Sequence, residues 1–282
     1  IASFNKPGGI TFCHENAHVA EDECGAVEYL TGGSRLSLIP GADGKMDLAT
    51  LEKAIARNPA AFVHGGQPMG ITITQATEAG TVHALDEIRA ISAIAKANAL
   101  PLHMDGARFA NALVSLGCSP AEMTWKSGVD ILSFGATKNG CWCAAALVVF
   151  EKALDAQMPF LRKRGAQLFS KSRFIAAQFE AYFEGVLWLD SARHANAMAT
   201  VLAEGIAKSG RARLHTKPQA NEVFAILTNA DIERLRAAGA VFYDWHAPSD
   251  GSVKHGETMI RLVTSFATRL EEADNLIARI KT

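Results

Sequence analysis

The sequence reads as an α/β protein with a smaller α+β unit behind it. Three features predict this. Short apolar strands alternate with amphipathic helical stretches over the first half of the chain, the pattern of a crossover-connected sheet. An alanine-rich helical stretch runs from Glu151 to Lys208, punctuated by Gly165, Gly185 and Ser209-Gly210. Beyond it, closely spaced strands sit between two helices. The 282 residues suffice for one large and one small domain. The expected division is 1–208 and 209–282, with no internal repeat.

In chain order, Ile10–Cys13 is a brief strand after the turn Pro7-Gly8-Gly9. Ala26–Leu30 is helical and stops at Gly32-Gly33, and Arg35–Ile39 is a strand. Asp47 caps a helix reaching Arg57, since Leu48, Leu51, Ala54 and Ile55 share a face. Ile71–Thr74 is a strand with the polar end Gln75-Ala76-Thr77-Glu78. Asp86–Ala97 is an amphipathic helix, and Leu100–Met104 a strand. Short helices follow over Asn111–Gly117 and Ala121–Ser127, the second with Ser119 as cap and Pro120 as first residue. Val129–Phe134 and Ala144–Phe150 are strands. In the last part, Arg213–His215, Glu222–Leu227, Ala240–Asp244 and Thr258–Thr264 read as strands, and Asp231–Ala238 and Arg269–Lys281 as helices.

Composition narrows the function classes. A net charge of −1 points to no nucleic acid or other polyanion. The longest apolar runs, such as Ala144–Phe150, are too short for a bilayer. Five scattered cysteines give no disulfide framework, and the C-x-C pair Cys141 and Cys143 has no partner set for a metal. Reduced cysteines and no visible signal peptide lead us to expect a cytoplasmic protein.

Two strand ends carry the chemistry. One runs into Ser133-Phe134-Gly135-Ala136-Thr137-Lys138. Small residues around a partly desolvated lysine leave room for a flat group and favour an imine, because only the neutral amine is nucleophilic. The same residues also suit a solvated lysine in a strand-to-helix turn. The other strand ends in Asp105-Gly106-Ala107-Arg108, 33 residues before Lys138, which is room for one crossover. Ligands of open α/β sheets gather beyond the carboxyl ends of the strands. A carboxylate for a pyridinium nitrogen and a lysine for an imine together suggest pyridoxal 5'-phosphate.

The chain resembles the threonine aldolases, within the aromatic amino acid beta-eliminating lyase/threonine aldolase group. The motifs are AHVAEDECGA (Ala17–Ala26), QATEAGTV (Gln75–Val82), LHMDGARFANA (Leu102–Ala112), DILSFGATKNG (Asp130–Gly140) and IRLVTSF (Ile260–Phe266). The resemblance implies an aspartate-aminotransferase-like fold type I large domain with a small C-terminal α+β domain. It implies that Lys138 carries the cofactor and that Asp105 pairs with its ring nitrogen. Arg108 would donate to the phenolic oxygen, and His18 would stack on the ring near the substrate hydroxyl. Arg261 would hold the substrate carboxylate. Thr137 is a further cofactor contact by position, although turn hydroxyls more often serve local backbone. Glu78 stands where many members carry a second histidine, and is either a base or structural. The family's phosphate loop lies upstream of the match to Ile1, so the N-terminal part of the large domain is expected to be missing.

The expected reaction is cleavage of L-threonine, allo-threonine or phenylserine to glycine and an aldehyde, with Lys138, His18 and Glu78 as catalytic residues. β-Elimination or transamination on the same scaffold is the alternative, as is a catalytically inactive relative. The resemblance also implies a homodimer or homotetramer. Arg162, Lys163, Arg164, Lys171 and Arg173 form a basic run that is either solvated or reaches a neighbouring subunit.

Overall fold

The computed structural model describes residues 1–247 and 251–282. The first half runs β1 (Gly9–His14), α1 (His18–Glu21), α2 (Ala26–Thr31), β2 (Arg35–Ile39), α3 (Leu48–Ala56), β3 (Gln67–Thr74) and α4 (Leu85–Ala97). It continues β4 (Leu102–Gly106), α5 (Phe109–Leu116), α6 (Pro120–Met123), β5 (Ile131–Gly135) and β6 (Ala145–Val149). The second half holds α7 (Met158–Arg164), α8 (Arg173–Phe183), α9 (Leu187–Ala207), β7 (Arg213–Leu214) and β8 (Glu222–Thr228). It closes with α10 (Asn229–Ala237), β9 (Tyr243–Trp245), β10 (Glu257–Val263) and α11 (Leu270–Lys281).

The described residues form two sheets. One has the order β2-β1-β3-β4-β5-β6, the other β7-β8-β10-β9. In the first, β1 to β5 pair in parallel and β6 turns back antiparallel on β5. Parallel strands covered on both faces are apolar throughout, and β1 is buried along its whole length. The second sheet is antiparallel. Its core packs Val223, Ala225, Leu227, Ile260 and Leu262 against Leu202 and Ile206 of α9 and Ile277 of α11. The other end of α9 reaches the first core through Trp188 and Leu189. That one helix therefore serves both sheets.

Local chemistry accounts for most boundaries. Asp47 Oδ1 accepts the Thr50 N–H at 2.8 Å and starts α3. Ser119 and Glu122 exchange the two bonds of a capping box at the start of α6. As Gly165 and Gly185 predict, the helical stretch from Glu151 divides into α7, α8 and α9, with Arg162, Lys163 and Arg164 in the last turn of α7, where cations face free carbonyls. Two stretches differ from the pattern reading. The helix expected over Ala121–Ser127 breaks into α6 and a 3-10 turn at Trp125–Ser127. The strand expected over Ala240–Asp244 begins only at Tyr243. It lies at a sheet edge, and Val241, just outside it, is 95% exposed.

A polar chain crosses the middle of the first sheet. Thr72 Oγ1 meets His103 Nδ1 at 2.7 Å, and His103 Nε2 meets Ser133 Oγ at 2.8 Å. Burial holds this histidine's pKa well below its usual value, so it stays a neutral bridge. His103 and Ser133 are thus strand-register residues, and β3, β4 and β5 are tied to one another just below their carboxyl ends.

Candidate active site

Parallel strands put their carboxyl ends along one edge, and there the motif residues gather. β1 leads through Ala17 to His18, β3 to Glu78, β4 to Asp105, and β5 to Lys138. The register sets Thr74 beside Asp105 and Asp105 beside Ser133. Two glycines allow these ends to meet closely. A Cβ on Gly135 would lie 2.9 Å from the Ala107 backbone, and one on Gly106 would meet Leu132 and the Ser133 carbonyl. Any larger residue would push the aspartate and lysine turns apart.

Lys138 is open to solvent, but the walls around its amine withhold water. Desolvation lowers its pKa, and Arg108 lowers it further. Glu78, Glu222 and Asp105 pull it back up. These side chains therefore lie close enough to influence its charge. The turn is anchored by Asn139, whose Nδ2 donates to Tyr182 Oη at 2.6 Å and to the Trp188 carbonyl at 2.8 Å. Asp105 Oδ1 accepts the Ala107 N–H at 2.9 Å, which holds the carboxylate at the strand end.

Glu78 is buried, and burial raises its pKa above the usual carboxylate range. Glu222 raises it further, while Arg108, His18 and Lys138 oppose the shift. Its loop is fixed by a bond between the Thr77 and Thr81 hydroxyls at 2.7 Å and by Thr81 Oγ1 donating to the Asp43 carbonyl at 2.6 Å. His18 opens α1, and its Nδ1 lies 2.8 Å from Glu23 Oε1. With the Nδ1 proton held by that carboxylate, Nε2 is left as the acceptor. Thr137 Oγ1 is bonded to the backbone of Ala144, donating at 3.3 Å and accepting at 3.1 Å.

The second sheet supplies two arginine contacts. Arg261 of β10 stacks 4.1 Å from the Trp245 ring centroid on β9. Its Nη1 is 3.7 Å from Glu222 Oε1, which also lies 2.8 Å from Arg108 Nη2. Glu222 is fully buried and Arg108 nearly so. Sequence reading placed Glu222 only as the first residue of a strand and gave Glu23 and Trp245 no site role. A charged residue opening an apolar strand was the one available signal for Glu222.

The donor set fits a flat anionic cofactor. It combines a half-desolvated amine, a carboxylate at a strand end, and a buried arginine whose Nε has no hydrogen-bond partner. The beta-eliminating lyase family matches residues 1–230. A low specificity L-threonine aldolase from Pseudomonas aeruginosa is 42% identical over 95% of this chain and 75% of its own length. Another, from a Pseudomonas species, is 43% identical over 82% of this chain and 66% of its own. The structure of a threonine aldolase from Leishmania major superposes with a TM-score of 0.89 at 29% identity, over 99% of this chain and 79% of that one. The chain thus spans roughly two thirds to four fifths of these relatives.

Proposed function

Because the chain belongs to the beta-eliminating lyase family, we propose that it is a pyridoxal-phosphate-dependent aldolase that cleaves L-threonine and related L-β-hydroxy-α-amino acids to glycine and an aldehyde. One observation carries the reading: the Asp105 turn and the Lys138 turn end neighbouring strands β4 and β5, with Asp105 in register with Ser133, at the carboxyl edge of a parallel sheet.

In this reading Lys138 is the amine that attaches the cofactor. Asp105 would keep the ring nitrogen protonated, and Arg108, whose Nε is unpartnered, would donate to the phenolic oxygen. When bound, the cofactor supplies an electron sink for the pair released as the Cα–Cβ bond breaks. Arg261 binds the substrate carboxylate through its planar fork, held in place by Trp245. His18 Nε2 takes the β-hydroxyl proton while Glu23 orients the ring. Glu78, with its raised pKa, is the alternative acceptor of that same proton, and a proton returned to Cα completes glycine. Thr137 stays a cofactor contact by position only, since its hydroxyl already serves Ala144.

We assign 1–208 to the cofactor domain and 209–282 to the small one, a division supported by the separate second sheet that begins at β7. A second copy of the chain is the proposed partner, in a homodimer or homotetramer. The exposed Trp142, Phe160 and Phe174 would form part of its contact. Among the described residues no helix is long and apolar enough to cross a membrane. We infer a cytoplasmic setting from the unpaired state of all five cysteines.

The test uses the protein with pyridoxal phosphate. L-Threonine should yield equal amounts of glycine and acetaldehyde, and borohydride should abolish the cofactor's visible band. Lys138→Ala should lose that band and at least ~10³-fold in turnover. Release of ammonia and a keto acid would mean elimination or transamination instead. Full turnover without Lys138 would overturn the assignment.

A further inference from the structure

Glu222 has no place in the reaction as drawn, yet it is fully buried and touches both functional arginines. Its Oε1 lies 2.8 Å from Arg108 but 3.7 Å from Arg261. Neither Glu222 oxygen makes a hydrogen bond, and the Nε atoms of both arginines are likewise unpartnered. A lone buried carboxylate thus faces two cations, one held closely and one loosely. The start of its strand is tied to β10 and α9 by hydrogen bonds. Asn221 Nδ2 donates to the Thr264 carbonyl at 2.6 Å, and Thr264 Oγ1 donates to the Ala195 carbonyl at 2.7 Å. Arg261, by contrast, is also positioned by the Trp245 face, so it does not depend on Glu222 for its location.

We propose that Glu222 is a positioning residue that acts as the shared counter-ion of Arg108 and Arg261, holding the first firmly and the second loosely until a substrate carboxylate displaces it from Arg261. This rests on the aldolase reading above. A buried cation, Arg108, and a partly buried one, Arg261, against one anion leave the trio one negative charge short, and a substrate carboxylate supplies it. While the site is empty, Glu222 spares Arg261 the cost of an unpaired, partly buried charge. When the carboxylate arrives, Glu222 is a competitor and a like charge nearby, so it moderates amino-acid affinity. The amino-acid product of the cleavage carries the same carboxylate, so the device also favours product release.

Calorimetric titration of glycine into the pyridoxal-phosphate-loaded full chain tests this. Glu222→Gln should lower the glycine dissociation constant about tenfold, the order expected for removing a like charge several ångströms away in a partly buried site. Arg261→Met should raise it. In the Arg261→Met background the Glu222→Gln change should have no effect on glycine, because the competition runs through that arginine. Glu222→Asp, which draws the charge back by one methylene, should fall between wild type and Gln. A glycine constant that is unchanged or higher in Glu222→Gln would overturn the proposal, as would the same gain in both backgrounds. If the Gln variant does not fold, the Asp variant decides, and affinity no tighter than wild type is the overturning result. Failure of the aldolase reading is separate: the binding pattern would survive in a protein that releases no aldehyde from L-threonine.

Discussion

Glu78 is a carboxyl kept in a place where the neutral form is favoured. Desolvation raises its pKa first and the charge of Glu222 second. A carboxyl whose folded pKa is raised contributes its stability fully below its unfolded value. That contribution is lost as the pH rises through the folded value. Glu78→Gln, neutral at every pH, should keep it. The cofactor-free variant should melt ~2 °C above wild type at pH 7 and level with it at pH 4. Equal melting points at pH 7 would show that the surrounding cations already offset the burial. The same variant should lose ~10-fold or more in kcat if the carboxylate shares in deprotonation. The sequence pointed to Glu78 because its motif is contiguous. It gave Glu222 no partner, because Glu222 and Arg108 meet only when the second sheet packs over the first, and no local pattern encodes such a contact.

α9 is the element on which the two halves depend. Its inner face is lined with small residues, and α11 packs closely against Gly205. A Cβ at that glycine would run into the Ile277 side chain. Helix propensity alone would make Gly205→Ala stabilising by ~1 kcal/mol. The collision with Ile277 reverses the sign, and we expect a net loss of ~1–3 kcal/mol in urea unfolding. A gain would mean that α11 can slide outward without cost. Elements such as α3, α4 and β5 were readable because their caps, periodicity and apolar runs are local properties. β9 was misplaced at its start, since an edge strand extends only as far as its one neighbour pairs with it. The helix breaks after Glu151 were legible as Gly165 and Gly185, which lie just past the ends of α7 and α8.

At the scale of the molecule, the two cores share α9, and the Arg108–Glu222–Arg261 trio crosses between the sheets. Calorimetry of the cofactor-free chain should therefore give one cooperative transition, not two. Two separated transitions would show that the sheets unfold independently and that the shared helix does not couple them. The amino-acid sequence by itself determined the alternation of strands and helices, the Asp105 and Lys138 turns, and the family motifs, because each is written in neighbouring residues. Only the tertiary structure decided the strand order, the neutral His103 bridge, the Glu23 partner of His18, and the buried carboxylate between two arginines. Those features depend on which distant surfaces exclude water from each other, and burial of a charge becomes visible only once both walls of its site are in place.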